Sequence, residues 1–482
     1  MEGDRIPVFC SLLLLVLIFA GLRLPPFEVL RQSWNEECSW QEPRGGELGF
    51  ENEHDIIIDS AARWFESPQL VTAKGRERKK CWDKTLSEST AARASEPSEE
   101  QKSDFDVVMH IFAWKRTHSL QRLLESIAGA DYTGWECRPI DLDFHIDGDA
   151  KLEVVLMVEA FSWTRGTKRI HLRTTRAGLK KNVLGAWTPT TSDTRKFALF
   201  LEDDVEVSPL YFQYIVWCIS TFFSSQLQQV NEFLMGCSLY TPRVDELNTT
   251  TDPQHPKPWT PPTVLPQSDT SEVHGYDSAT FYFQLPCSWG AVWQGSLWAR
   301  FRQYASQRDR IADTLGLENV EKSLRHMPDL RSRTWRNSWK RIMNEFMFMQ
   351  GMYMVYVSFP NETSFSTNHY EEGVHTVADG HEIKMSDKLR PPELVDKRFT
   401  VPLFTLEDKR TVLKDLHRLA SGIMDSMNTV GWRDPLPVVN ILHELEPQGK
   451  EGLRVNGERQ KMLWRDTVLN LLGENSWSET IP

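Results

Sequence analysis

At 482 residues, with 40% apolar and 25% charged side chains, the chain has the composition of a folded globular protein with room for one large domain or two ordinary ones. A formal net charge of −12 argues against nonspecific nucleic-acid binding, which needs a basic face. The 18 tryptophans suit a core filled with rings, or a surface that stacks on sugars or bases.

The uncharged apolar run from Ile6 to Leu22, closed by Arg23 and Pro25-Pro26, is near the short limit for a membrane span. It reads as a signal-anchor within residues 1–26 or as a cleaved signal peptide. Either way the rest of the chain is expected in the secretory lumen. Cys10 lies in this run, leaving Cys38, Cys81, Cys137, Cys218, Cys237 and Cys287, an even number that permits up to three disulfides. Cys218 also fits a buried thiol on an apolar helix face, and the absence of a CxxC spacing argues against zinc. Asn248-Thr249-Thr250 and Asn361-Glu362-Thr363 are N-glycosylation acceptor motifs. Residues 27–104 read as stem and linker, ending in the polar Ser/Glu-rich stretch 83–104.

The pattern then changes. Residues 107–113 form a continuous apolar strand, and Leu120, Leu123, Leu124 and Ile127 follow at helical spacing. Ile140, Leu142, Phe144 and Ile146 alternate with Asp141, Asp143, His145 and Asp147, which predicts a strand with one polar face. A helix over 152–161, a strand over 169–173, a helix over 178–187 and a strand over 197–201 complete four strand–helix alternations. Ser208 and Pro209 predict a capped helix start, with Leu210, Tyr214, Trp217 and Cys218 on one face. This describes an open α/β sheet, mostly parallel and flanked by helices. Residues 250–268 are too Pro-rich for a regular element. Strand character returns at 281–286, helices at 296–305 and 336–350, and a strand at 351–359; residues 376–482 read as a C-terminal extension of helices and Pro-rich turns.

The fourth strand runs straight into Glu202, Asp203 and Asp204. Ligands of open α/β sheets bind beyond the carboxyl ends of the strands, and three carboxylates there invite a hard divalent cation, itself a partner for a diphosphate. The plainer alternative is that they complement the dipole of the helix that follows. Other strand ends carry polar groups too. Arg116 closes the first strand and could contact base or phosphate, while Asp147 and Asp149 flank Gly148 at the second, as base acceptors or as a simple turn. Lys180 and Lys181 open a helix and could reach phosphates or lie at the surface.

The segment "FLEDDVEVSPLYFQYI" resembles the acidic motif and following helix of GT-A nucleotide-sugar glycosyltransferases, above all the N-acetylglucosaminyltransferase I-like enzymes and their family 2 relatives. "VVMHIFAWKRTHSLQRLLESI" is similar to their first strand and helix, and "HIDGD" to their second strand end. The likeness covers residues 105–375. It implies a Rossmann-like nucleotide-binding half joined to an acceptor-binding half. It also implies manganese or magnesium as cofactor and a nucleotide-sugar donor, a UDP-sugar foremost. Asp204 would ligate the metal; Glu202 and Asp203 would meet the ribose, the metal's waters or the donor sugar; Asp147 would read the base, with Arg116, Asp149 and Lys181 around the nucleotide. The late histidines His369 and His375 are further metal candidates. Where the family carries an acidic "WDDW"-type stretch, this chain has "TWRNSWKR", with Asn337 and Ser338 in place of carboxylates. The catalytic carboxylate candidates are therefore Asp203, Asp329 and Glu345. "CSWGAVW" (287–293) reads as an acceptor shelf or as core.

The expectation is a membrane-anchored lumenal glycosyltransferase of the hexosyl or N-acetylhexosaminyl type, single-pass type II, in the Golgi or endoplasmic reticulum. Its acceptor would be a glycan, glycolipid or glycoprotein. The rival is a non-catalytic lumenal protein that keeps the fold to bind glycans or partners. A metal-dependent phosphodiesterase would need more His and Asp ligands at strand ends.

Overall fold

A computed structural model of the chain describes residues 55–59, 105–136, 138–224, 232–247, 257–262, 278–324, 327–335, 338–369, 400–429, 438–439 and 445–446. The expected membrane segment, most of the stem and linker, Asn337, His375, Asn248 and the cysteines at 38, 81 and 137 lie outside the described residues. Among the described residues no helix is long and apolar enough to cross a membrane.

The elements in chain order are β1 (Asp55–Asp59), β2 (Asp106–Ala113), α1 (Thr117–Ala128), β3 (Asp141–Ile146), α2 (Leu152–Ala160), β4 (Lys168–Arg173), α3 (Leu179–Ala186), β5 (Lys196–Glu202), β6 (Val205–Val207) and α4 (Tyr211–Phe222). They continue with β7 (Leu234–Ser238), β8 (Ala279–Phe283), β9 (Ala291–Gln294), α5 (Gly295–Leu315), α6 (Leu317–Ser323), α7 (Trp339–Gln350), β10 (Tyr353–Ser358), β11 (Ser366–Asn368), α8 (Lys409–Thr429), β12 (Val438–Val439) and β13 (Leu445–Glu446). The main sheet has the order β1-β4-β3-β2-β5-β9-β7-β10-β8-β12-β13, and β6 pairs with β11 in a separate two-stranded ribbon.

The block β4-β3-β2-β5 is parallel throughout. Antiparallel β9 is wedged between β5 and β7, and β8 runs antiparallel to β10. The architecture is thus mixed α/β with a parallel half and a mixed half. Part of the region expected as stem joins the sheet as edge strand β1, antiparallel to β4. Part of the C-terminal region packs on the core through Val412, Leu416 and Ile423 of α8.

Alternation explains why the central strands are so apolar: both faces are covered, so both residue sets must be buried. Phe197, Leu199 and Leu201 of β5 join Met109, Ile111, Leu142 and Phe144 in the core beneath α1 and α4. Ala198 and Phe200 point the other way, into a core shared with Val183 and Leu184 of α3, Trp298 of α5 and Trp339 of α7. Trp293, Trp298 and Trp339 are among the largest fully buried side chains, so much of the tryptophan surplus fills the core; each such ring buries on the order of 150–250 Å². On α1 the four residues read from helical spacing, Leu120, Leu123, Leu124 and Ile127, all face that interior.

Two local readings are revised. The helix after the acidic triplet begins at Tyr211, two residues later than Ser208-Pro209 predicts; the Ser208 hydroxyl accepts from the Leu210 N–H at 3.0 Å and donates to the Phe404 carbonyl at 2.8 Å. Cys218 is no free thiol: it forms a disulfide with Cys237, tying α4 to β7.

Candidate active site

β2 and β5 are parallel neighbours, with Phe112 opposite Glu202. From β2 the chain steps outward through β3 and β4 on one side, then returns to place β5 on the other. The exits of β2 and β5 therefore flank a topological switch point, the place where open α/β sheets form a ligand crevice. Trp114, Lys115 and Arg116 leave one strand there, and Glu202, Asp203 and Asp204 end the other.

The structure supplies the positive charge that the three carboxylates call for. The Arg116 guanidinium donates to Asp203 through Nη2 and to Asp204 Oδ2 through Nη1 at 2.6 Å. Asp203 also accepts the Trp114 backbone N–H at 3.3 Å. Glu202 accepts from Trp339 Nε1 at 3.3 Å, which brings the "WRNSW" stretch to the acidic triplet although Ser338 offers no carboxylate. The Asp204 backbone carbonyl accepts the His369 N–H at 3.0 Å, where β11 runs beside β6.

Burial and crowding set the protonation. Burial, then the charge of Asp204, pushes Glu202 up to about 8, so it holds its proton at neutral pH. Burial pushes Asp203 up to about 6 against the opposing pull of Arg116. Burial works against the Arg116 charge, but Asp203 and Asp204 outweigh it and keep the guanidinium protonated. Asp204 Oδ1 is buried and has no hydrogen-bond partner among the described residues. A carboxylate oxygen left bare in a crowd of carboxylates fits a hard divalent cation with oxygen ligands.

The other sequence-derived residues fall into distinct places. Asp147 accepts the N–H groups of Gly148, Ala177 and Gly178 at 2.7–2.9 Å, which fastens the exit of β3 to the loop after β4. That loop passes so close that a β-carbon on Gly148 would lie 2.0 Å from the Thr175 carbonyl carbon. Asp147 thus clamps the loop, with Oδ1 accepting twice and Oδ2 once. Asp149 is exposed and accepts from Trp114 Nε1 at 2.8 Å and Lys115 Nζ at 3.0 Å. Arg176 lies over the other part of this group, 4.0 Å from the Trp114 ring centre. Lys181 is exposed on the first turn of α3, and Lys180 is paired with Asp309 of α5 at 2.8 Å.

His369 is at the site by its backbone, but its Nε2 meets Glu206 at 2.7 Å instead of facing the triplet. Asp329 is exposed and paired with Arg333. Glu345 is fully buried, with both oxygens held by Arg308, and Arg341 stands 3.6 Å away. Asp329 and Glu345, named as base candidates, thus stand in ion pairs, the first in solvent and the second in the interior. Of the "CSWGAVW" stretch, Trp293 is core, whereas Trp289 is half-buried against Tyr240 and its carbonyl accepts from Ser366 of β11 at 2.6 Å.

A second cluster escaped the sequence reading. His110 of β2 and Asp143 and His145 of β3 place ligand atoms within 4.8 Å of one another, a spacing that could hold a metal ion. Their surroundings oppose a cation: Arg169 grips both oxygens of Asp143 at 2.6 and 3.2 Å, and Arg173 adds a second positive charge. His110 and His145 are bonded to each other at 2.9 Å, and His145 stacks on His171. Burial drives His110 down to about 3 and His145 well below its usual value, so both are neutral. The signal for this belt was in the strict alternation of 140–147, read as a strand with one polar face; α3 covers it, and Asn182 bonds the His145 carbonyl.

Comparison with protein families finds no match, and comparison with curated proteins finds none either. Among solved structures the chain is similar to S. aureus TarS 1–349 with a TM-score of 0.23 and 13% identity, over 40% of this chain. The alignment spans about half, 48%, of that TarS chain. A score that low carries no functional weight.

Proposed function

We propose that the protein is a metal-dependent glycosyltransferase. It moves a sugar from a nucleotide diphosphate donor, a UDP-sugar foremost, to a glycan, glycolipid or glycoprotein. The N-terminal segment would hold it to the Golgi or endoplasmic reticulum membrane with its catalytic part in the lumen. One observation carries this reading: the acidic triplet at the switch point of the sheet, with Asp204 Oδ1 buried and unpartnered among the described residues. The likeness of "FLEDDVEVSPLYFQYI" to the acidic motif of GT-A enzymes adds to it, and the Cys218–Cys237 disulfide suits an oxidising compartment.

In this reading Asp204 holds the cation through its bare oxygen, with Asp203 beside it. A divalent ion supplies neutralisation of the departing diphosphate. Arg116 orients phosphate oxygens by bidentate hydrogen bonds. Trp339 keeps Glu202 turned into the crevice, and Trp289 offers a ring face to the acceptor sugar.

A second reading is favoured by one observation. The helix that should bring a base carries Ser338, and Asp329 and Glu345 are committed to arginines. A protein that binds nucleotide or glycan without turnover would look the same. A panel of nucleotide sugars incubated with manganese separates the two. Consumption of one donor, stopped by chelation of the metal, is the result expected of the enzyme. Intact donors throughout, acceptor glycans included, would leave only binding.

A further inference from the structure

We propose that Arg116 is an internal counter-ion that makes cation uptake at the acidic triplet depend on a bound diphosphate. This rests on the reading of the triplet given above. The guanidinium lies between the two carboxylates that would hold the ion, with one N–H on Asp203 and another on Asp204. Arginine cannot give up its charge by losing a proton. It can release the carboxylates only by moving away from them.

The side chain has somewhere to go. Arg116 occupies the junction between β2 and α1, and its side chain is 21% exposed where that of Asp203 is 4%. A bare divalent ion entering the site would have to expel the guanidinium into water and forfeit two charge-assisted hydrogen bonds. A diphosphate changes this balance, because its oxygens give a guanidinium an equivalent bidentate partner. Arg116 then exchanges carboxylate for phosphate as the carboxylates take the cation. By linkage, nucleotide and cation each tighten the binding of the other. Lys115 is not placed for the same part, since it pairs with Asp149 at 3.0 Å and not with the triplet.

The test measures manganese binding to the full chain by the paramagnetic resonance of the free ion, with and without UDP. Wild type is compared with Arg116→Ala, Arg116→Gln and Asp204→Ala. In wild type, UDP should tighten manganese binding at least tenfold. Arg116→Ala should bind manganese alone at least tenfold more tightly than wild type, with the UDP effect reduced below threefold and UDP binding weakened. Its melting temperature should rise with manganese alone by more than that of wild type. Arg116→Gln, which keeps a neutral donor in place, gives the same comparison if the alanine variant fails to fold. Arginine variants that bind manganese alone no more tightly than wild type, while Asp204→Ala abolishes binding, would overturn the counter-ion and spare the site. Unchanged manganese binding in Asp204→Ala would overturn the site itself, and the counter-ion with it.

Discussion

The sheet carries two polar clusters of similar make-up, and their positions along the strands give them different characters. At the exits of β2 and β5, Arg116 meets Asp203 and Asp204 in a crevice where one carboxylate oxygen is left bare. In mid-strand, beneath α3, Arg169 meets Asp143 beside His110 and His145, with both carboxylate oxygens occupied. An arginine–aspartate pair under a helix holds a sheet together. The same pair past the strand ends leaves a lone pair open on Asp204. What distinguishes that cluster is a bare carboxylate oxygen at the switch point of the sheet.

That contrast can be broken in several ways. Asp204→Ala should lower turnover at least about a thousandfold, as loss of a charge-stabilising group at a reacting centre does, while the melting temperature shifts by only a few degrees; equal loss of fold and activity would merge the two clusters into one kind. Arg169→Ala should do the reverse. It strands the buried Asp143 carboxylate, which costs about 2–3 kcal/mol after allowance for the partly exposed arginine, read as a lower urea midpoint. Activity per folded molecule should be unchanged.

Acid should act on the mid-strand cluster. His110 titrates at about 3 in the folded chain against 6.5 unfolded, so the unfolded state binds the proton first. Stability is complete above pH 6.5 and falls as pH drops from there toward 3. Between pH 7.5 and 5 the loss from this group should be about 2 kcal/mol by linkage, and His110→Phe should flatten the slope. The smallest effect belongs to the exposed rim. Asp149→Ala removes a pair with Lys115 that lies in solvent, and should leave the urea midpoint close to that of wild type.

Much of the parallel half was legible because β2 and β5 are apolar runs with both faces buried, β3 alternates strictly, and α1 carries its stripe at i, i+3, i+4 and i+7. The acidic triplet was legible for the same reason, being an abrupt stop to such a run. Its partner was not, since Arg116 lies 88 residues from Asp204 in the chain and nothing local ties them. Glu345 shows the converse. A carboxylate on an amphipathic helix reads alike whether solvent or a guanidinium faces it, and Arg308 is 37 residues away. The histidine belt was not legible as a buried network, because period-two alternation tells which residues share a face but not what covers it. The edge strand β1 was a short apolar patch in a polar stretch, too brief to claim a place in the sheet without its neighbour β4.

The ribbon of β6 and β11 has a consequence for the making of the protein. Residues 366–368 return from far along the chain to lie against 205–207, directly behind the acidic triplet. During synthesis, β2 to β5 can assemble before residues 366–368 emerge, since all four strands lie within 106–202. The crevice waits for much later residues, and gains its back wall only when that return pass is complete. Under the reading proposed above, a nascent chain halted short of it would have its front assembled and the triplet still unbacked, so any activity would arrive as a late certificate that the domain had been built.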